Sequence, residues 1–173
     1  ESLVNNFAQH KDVILAQLAL AECHHAQAAG DPAHGETAIV LFEHLRDRID
    51  APIPVRVEAG FNLGYLYSRR SAAERDRGDA ARAQLDAAKA VEVWWKDVVH
   101  EFLVKDPAVA DELGAKGRYW MARTLVELGM LFEQQEKLEE AKEAWLLILK
   151  SKLPGEDLAK ARLERFHLPA AKP

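Results

Sequence analysis

The amino-acid sequence predicts an all-α protein, and three observations carry that reading. Ala and Leu, both strong helix formers, supply 29 and 22 of the 173 residues, whereas the β-favouring Val, Ile and Thr supply 12, 5 and 2. Apolar residues recur at three- and four-residue spacing, with no alternating stretch to compete. Gly and Pro punctuate the chain at intervals that suit helices joined by short turns. The rest of the composition narrows function more than fold. A formal charge of −5 speaks against a nucleic-acid groove. One cysteine cannot form an internal disulfide. No run approaches the ~18 apolar residues of a membrane span, so no membrane insertion is expected.

The chain begins Glu1-Ser2-Leu3-Val4 and runs directly into helical periodicity. That start is expected of a domain cut from a longer protein, with a cleaved leader as the alternative. A first helix is predicted from about residue 3 to 29 through Val4, Phe7, Ile14, Leu15, Leu18 and Ala21, with a break near His10. Gly30-Asp31-Pro32 is expected to stop it. A second helix from near Glu36 carries Ile39, Phe42, Leu45 and Ile49 on one stripe, and Pro52 and Pro54 are expected to end it. The third, from about Pro54 to Arg77, places Val57, Phe61, Leu63, Leu66 and Tyr67 among its apolar positions. Gly78-Asp79 reads as a turn with Asp79 as the next N-cap.

A long fourth helix then keeps Leu85, Ala88, Val91, Trp95, Val98, Phe102 and Leu103 on one face to about residue 104. Asp106-Pro107 opens a short helical turn, which Gly114 and Gly117 are expected to close. Two further helices follow, Arg118 to Gln135 with Leu125, Leu128, Leu131 and Phe132 inward, and Lys137 to Lys150 with Leu138, Ala141, Trp145, Ile148 and Leu149. After Pro154-Gly155, a closing helix from Glu156 to Phe166 turns Ala159, Leu163 and Phe166 inward. The breaker-rich stretch from Pro169 to Pro173 reads as a tail.

One block repeats itself in outline. Leu125-x-x-Leu128-Gly129-x-x-Phe132 is followed by Ala141, Trp145, Ile148 and Leu153-Pro154. This resembles the tetratricopeptide (TPR) pattern, a helix-turn-helix of about 34 residues. Gly129 lets two helices approach, Phe132 and Trp145 fill the space between them, and Ala141 permits a tight crossing. Leu63-Gly64-x-x-Tyr67 begins a second copy with the same spacing, although its turn comes late and Trp95 lies far along. A weaker first copy places Leu20-Ala21 in the Leu-Gly role and Ala38-x-x-x-Phe42-x-x-Leu45 in the second helix. The resemblance implies a right-handed solenoid of antiparallel helix pairs over residues 1–168. Its repeats fall at roughly 12–53, 54–117 and 118–155, the middle one elongated with an inserted connector at 105–117. A closing helix at 156–167 resembles the family's solvating C-terminal helix, and residues 169–173 form the tail.

Arrays of this family bind partners on the concave surface lined by the first helix of each pair. The positions that line it fall on Glu58, Phe61, Tyr65, Ser68 and Arg69 in the second copy, and on Arg123, Val126, Met130, Glu133 and Gln134 in the last. The first copy does not fix a register. One specialised version of the family grips a C-terminal carboxylate with Lys, Asn and Arg side chains. Asn62 fits its middle position and Arg123 partly fits its third, but Glu127 stands where the final Arg belongs and the first copy lacks a Lys/Asn pair. The resemblance thus implies a groove of Glu58, Phe61, Asn62, Tyr65, Arg69, Arg123, Val126 and Met130 that takes a partner peptide or helix, without the chaperone-tail clamp.

The remaining chemistry-bearing residues read as structure. Cys23, His24 and His25 are consecutive and point three ways on a helix, so one or two at most join His34, and no metal or cofactor is expected. Glu133, Glu136, Glu139, Glu140 and Glu143 are interleaved with Lys137 and Lys142 and read as a solvated turn, not an acid-base pair. Gly114-Ala115-Lys116-Gly117 lacks phosphate-loop spacing. Arg69, Arg70, Arg75, Arg77 and Arg82 are offset by Glu74, Asp76 and Asp79. Arg77-Gly78-Asp79 spells a cell-adhesion tripeptide but reads as a turn. Trp94 and Trp95 diverge by about 100° on one helix. With Trp95 on the apolar stripe, Trp94 is expected either to pack on the inserted connector or to stand exposed as an interaction anchor. The function expected is a non-catalytic protein-protein interaction scaffold. The alternative is a structural or oligomerisation segment, with a homodimer formed around Trp94. A single cysteine and paired helices suit cytoplasmic and periplasmic assemblies alike.

Overall fold

A computed structural model describes residues 12–167. Val4, Phe7, His10, the expected helix start near residue 3 and the tail from 169 lie outside the described residues. Within them the chain is helical throughout, with no strand. The helices are α1 (Val13–Gln27), α2 (Pro32–Asp47), α3 (Ile53–Asp76), α4 (Ala80–Val91), α5 (Pro107–Asp111), α6 (Gly114–Gln134), α7 (Leu138–Lys150) and α8 (Glu156–His167). Between α4 and α5, and continuous with α4, runs a π-helical segment, Glu92–Val104.

Three expected boundaries shift because breakers also open helices. Asp31 and Pro32 start α2 as well as stop α1: the Asp31 carboxylate accepts the Ala33 N–H at 2.9 Å, and Pro32 occupies a first-turn site where its missing donor costs nothing. Pro52 and Pro54 likewise open α3, while α2 has already ended at Asp47. Ile49 consequently lies outside the helix, 89 % exposed, and not on its apolar stripe. Asp79 caps α4 as expected, accepting the Arg82 N–H at 3.0 Å. Gly114 does not close the connector but begins α6, and Gly117 is buried within the first turn beside Leu113 and the Pro54 backbone.

Three turns share one geometry. After α3, α6 and α7 an N–H bonds back five residues, from Asp79 to Glu74, Lys137 to Phe132 and Leu153 to Ile148, at 2.9, 2.9 and 3.0 Å. The residue before each donor has positive φ: Gly78 at 84°, Glu136 at 59° and Lys152 at 49°. This is the Schellman close of a helix, and only at Gly78 does the sequence announce it.

Most sequential neighbours pack on one another: α1 on α2, α2 on α3, α3 on α4 and the π segment, α6 on α7, and α7 on α8, while the short α5 packs on the π segment. Contacts also skip one helix or more, with α1 meeting α3 and α3 meeting α6. A single apolar cluster runs through all of these contacts, from Leu18 and Ala21 to Leu153 and Ala159. Polar ties reinforce the α2–α3–α4 junction. Arg70 grips the buried Asp86 with two hydrogen bonds, at 2.6 and 2.9 Å, and reaches Glu36 of α2 at 2.7 Å.

The α4 stripe differs from expectation by one residue. Leu85 is 57 % exposed and Ala88 is exposed, while Ala83, Ala87, Ala90 and Trp94 point inward. Beyond Glu92 the helix widens to i→i+5 hydrogen bonding, of which the 2.9 Å bond from Lys105 N–H to His100 O is the last. That widening brings Val98, Val99 and Phe102 into the core on the same side as Trp94.

Candidate protein-binding face

The residues expected to line a groove lie on α3 and α6, two helices in direct contact. The structure gathers part of that set into an aromatic cluster. Phe61 stacks on Tyr65 with centroids 5.9 Å apart and meets Trp120 of α6 at 4.9 Å. Tyr119 meets Trp120 edge-on at 5.1 Å. The Arg123 guanidinium lies over both rings, 5.0 Å from the Phe61 centroid and 5.9 Å from that of Trp120. Its Nη1 donates to the Tyr119 hydroxyl at 3.4 Å. From α1, His25 reaches Tyr65 at 6.0 Å. Three helices, α1, α3 and α6, therefore contribute to one cluster.

The expected residues do not all offer surface. Phe61 is only 3 % exposed and serves as the floor under Tyr65, Trp120 and Arg123. Asn62 is buried, its Nδ2 donating to the Glu58 carbonyl one turn earlier, which is a helix-internal bond. Glu58 is buried as well, and Lys116 at the start of α6 sits 2.6 Å from its Oε2. That contact is off the hydrogen-bonding direction, so it acts as an ion pair. Burial pushes the Glu58 carboxyl above the ordinary carboxylate range, against the Lys116 ammonium, which favours its charged form. Tyr65, Val126 and Met130 are half-buried, and Arg69 and Arg123 are exposed. Glu127, one turn beyond Arg123, is half-buried and is likewise pushed upward by desolvation. Burial acts the opposite way on the His25 imidazole, lowering its pKa.

Trp94 is not an exposed anchor. Its indole is fully buried against Gly64 of α3, and Nε1 donates to the Phe61 carbonyl at 3.0 Å. Trp95, expected on the apolar stripe, is the half-buried one. Ala90-x-x-x-Trp94 repeats the spacing of Ala38-x-x-x-Phe42 and Ala141-x-x-x-Trp145, and all six residues are fully buried.

Tyr119 and Trp120 lie within the helix expected from Arg118 and Lys116 on the added first turn of α6, but all three precede the Leu125–Phe132 block that set the expected groove positions. Glu133 is a further correction, since it is part of neither a solvated cluster nor an open groove. Its carboxylate accepts Trp145 Nε1 at 2.9 Å and Arg162 Nη1 of α8 at 2.8 Å. Glu136, Glu139, Glu140 and Glu143 are exposed as expected. Arg70 is tied to Asp86 and Glu36, whereas Arg69 and Arg75 are exposed. In Arg77-Gly78-Asp79 the aspartate is committed to capping α4.

His24 and His34 face one another with Nδ1 atoms 2.7 Å apart. Among the described residues, no group of three or more His, Cys, Asp or Glu is placed to hold a metal ion, and no helix is long and apolar enough to cross a membrane. No protein-family model matches the chain, and comparisons with curated proteins and with solved structures find none significantly similar.

Proposed function

We propose that this chain is a TPR-like, non-catalytic scaffold, a right-handed solenoid of helix pairs that binds a partner peptide or helix. The binding surface in this reading is the face formed by α1, α3 and α6. The observation that carries it is the aromatic cluster of Phe61, Tyr65 and Trp120 with Arg123 across it, built from successive first-of-pair helices. Aromatic rings and arginines concentrate binding energy at protein interfaces, because they bury large areas at small entropic cost. Half-buried Val126 and Met130 extend the apolar character along α6. The thrice-repeated Ala-x-x-x-aromatic pairing, at Ala38/Phe42, Ala90/Trp94 and Ala141/Trp145, supports the repeat reading.

Affinity capture from lysate, with the parent chain beside a Tyr65→Ala/Met130→Ala variant, tests the proposal. A partner held by the parent and lost by a variant of unchanged melting temperature is the expected outcome. Retention of every partner by the variant excludes this face as the binding surface. The alternative of self-association around Trp94 has lost its anchor, because that indole is enclosed.

A further inference from the structure

The Arg123 guanidinium is exposed yet fixed in place. Rings of Phe61 and Trp120 support its face, and the Tyr119 hydroxyl takes one of its five N–H donors. Among the described residues no carboxylate stands within ion-pair distance of it. Glu58 is occupied by Lys116 beneath the cluster. Glu127, one turn along α6 and half-buried, lies beyond ion-pair distance, and its carboxylate and the Arg123 guanidinium attract only across that gap. An arginine lying on aromatic rings keeps the fork of its planar edge available, and that edge matches a carboxylate's two oxygens. The stacked position also costs a partner little entropy, because the side chain is already ordered.

Resting on the groove reading above, we propose that Arg123 sets partner specificity by taking the side-chain carboxylate of an Asp or Glu within the bound segment. An apolar side chain next to that acid covers Tyr65 and Trp120. The recognised partner is therefore an acidic-apolar stretch of polypeptide, read through an internal side chain.

The test is selection from a display library of random 15-residue segments, fused at their C-termini so that no free terminal carboxylate is offered. The full chain, Arg123→Gln, Arg123→Glu and Tyr65→Ala/Met130→Ala are used as separate baits, each with its melting temperature measured. The parent is expected to enrich segments with Asp or Glu beside an apolar residue. Arg123→Gln should lose the acidic preference while keeping the apolar one, and Arg123→Glu should favour Lys or Arg at that place. A synthetic copy of a parent-selected segment should bind Arg123→Glu about tenfold more weakly. An acidic preference that survives in Arg123→Glu, or parent segments without acidic residues, overturns this inference. The groove reading itself then stands if Tyr65→Ala/Met130→Ala no longer retains those segments. Segments bound equally by that double variant, or no enrichment by any bait, overturn both.

Discussion

The α3–π pair and the α6–α7 pair solve the same packing problem with the same two residue types. In each, a glycine on the first helix leaves room for a tryptophan from the second. A Cβ at Gly129 would lie 2.6 Å from Cε2 and Cζ2 of Trp145, and one at Gly64 would overlap the Trp94 indole. What differs is the surroundings. Trp145 sits in a regular helix and donates to a side chain, Glu133, which Arg162 also holds from α8. Trp94 sits in the π segment and donates to a backbone carbonyl, that of Phe61. A second glycine, Gly60, accommodates Val98 one turn away, so α3 receives a row of two side chains. A repeated packing device thus tolerates a change of helix type, provided the aromatic keeps its glycine and its N–H keeps an acceptor.

Removing the aromatics gives the largest expected effect. Trp94→Ala and Trp145→Ala should each cost about 4 kcal/mol, read from urea unfolding. Gly64→Ala and Gly129→Ala should each cost about 2 kcal/mol or more by overpacking. That second cost should largely vanish when the facing tryptophan is already Leu, which a double-mutant cycle measures as a coupling above about 1 kcal/mol. Additive effects at either pair would mean that the glycine and the tryptophan do not act as one unit.

The contrast also shows what the sequence could and could not carry. Gly129, Trp145 and Ala141 were legible because helix, turn and helix there have ordinary lengths. Trp94 was not, because α4 presents two plausible stripes one residue apart, and Leu85 is a better apolar residue than Ala83 or Ala87, yet it faces outward. Small residues win that face because close helix approach needs them. The residues of α3 expected to line a groove differ in depth, with Glu58, Phe61 and Asn62 buried and Arg69 exposed, because periodicity tells which side of a helix faces inward, not what will cover it. Phe61 and Glu58 are covered by Trp120 and Lys116, which precede the Leu125–Phe132 block from which the groove positions on α6 are read.

A smaller effect separates the two pairs at their hydrogen-bond acceptors. Glu133→Gln still offers Trp145 an oxygen but gives up the charge facing Arg162. Both side chains are about one-quarter exposed, so the loss should stay below about 1 kcal/mol. Glu133→Ala strands the Trp145 N–H as well and should cost about 1–2 kcal/mol more. Amide hydrogen exchange in α8 should quicken in both variants, because Arg162 is the polar tie from that helix to α6. Unchanged exchange in α8 would show that apolar contacts alone hold it.

The smallest predicted effect concerns the carboxylate beneath the α3 cluster, and its sign distinguishes burial from ion pairing. Desolvation raises the Glu58 pKa in the folded chain, although Lys116 opposes the shift. A raised folded pKa means that the folded state holds the proton more tightly than the unfolded one. The stability so gained is present below the ordinary carboxylate value, about 4.3, and is lost as pH rises through the folded value. Glu58→Gln removes that loss while keeping a side chain of the same shape. Its melting temperature relative to the parent should therefore improve between pH 4 and pH 7 and then level off. Glu127 and Asp97 are raised by burial too, but both remain in parent and variant and cancel in the difference. A variant that instead falls further behind the parent as pH rises would show that the Lys116 contact outweighs the burial of the charge. Glu58 would then be a stabilising ion pair between α3 and α6, as Glu133 is between α6 and α8.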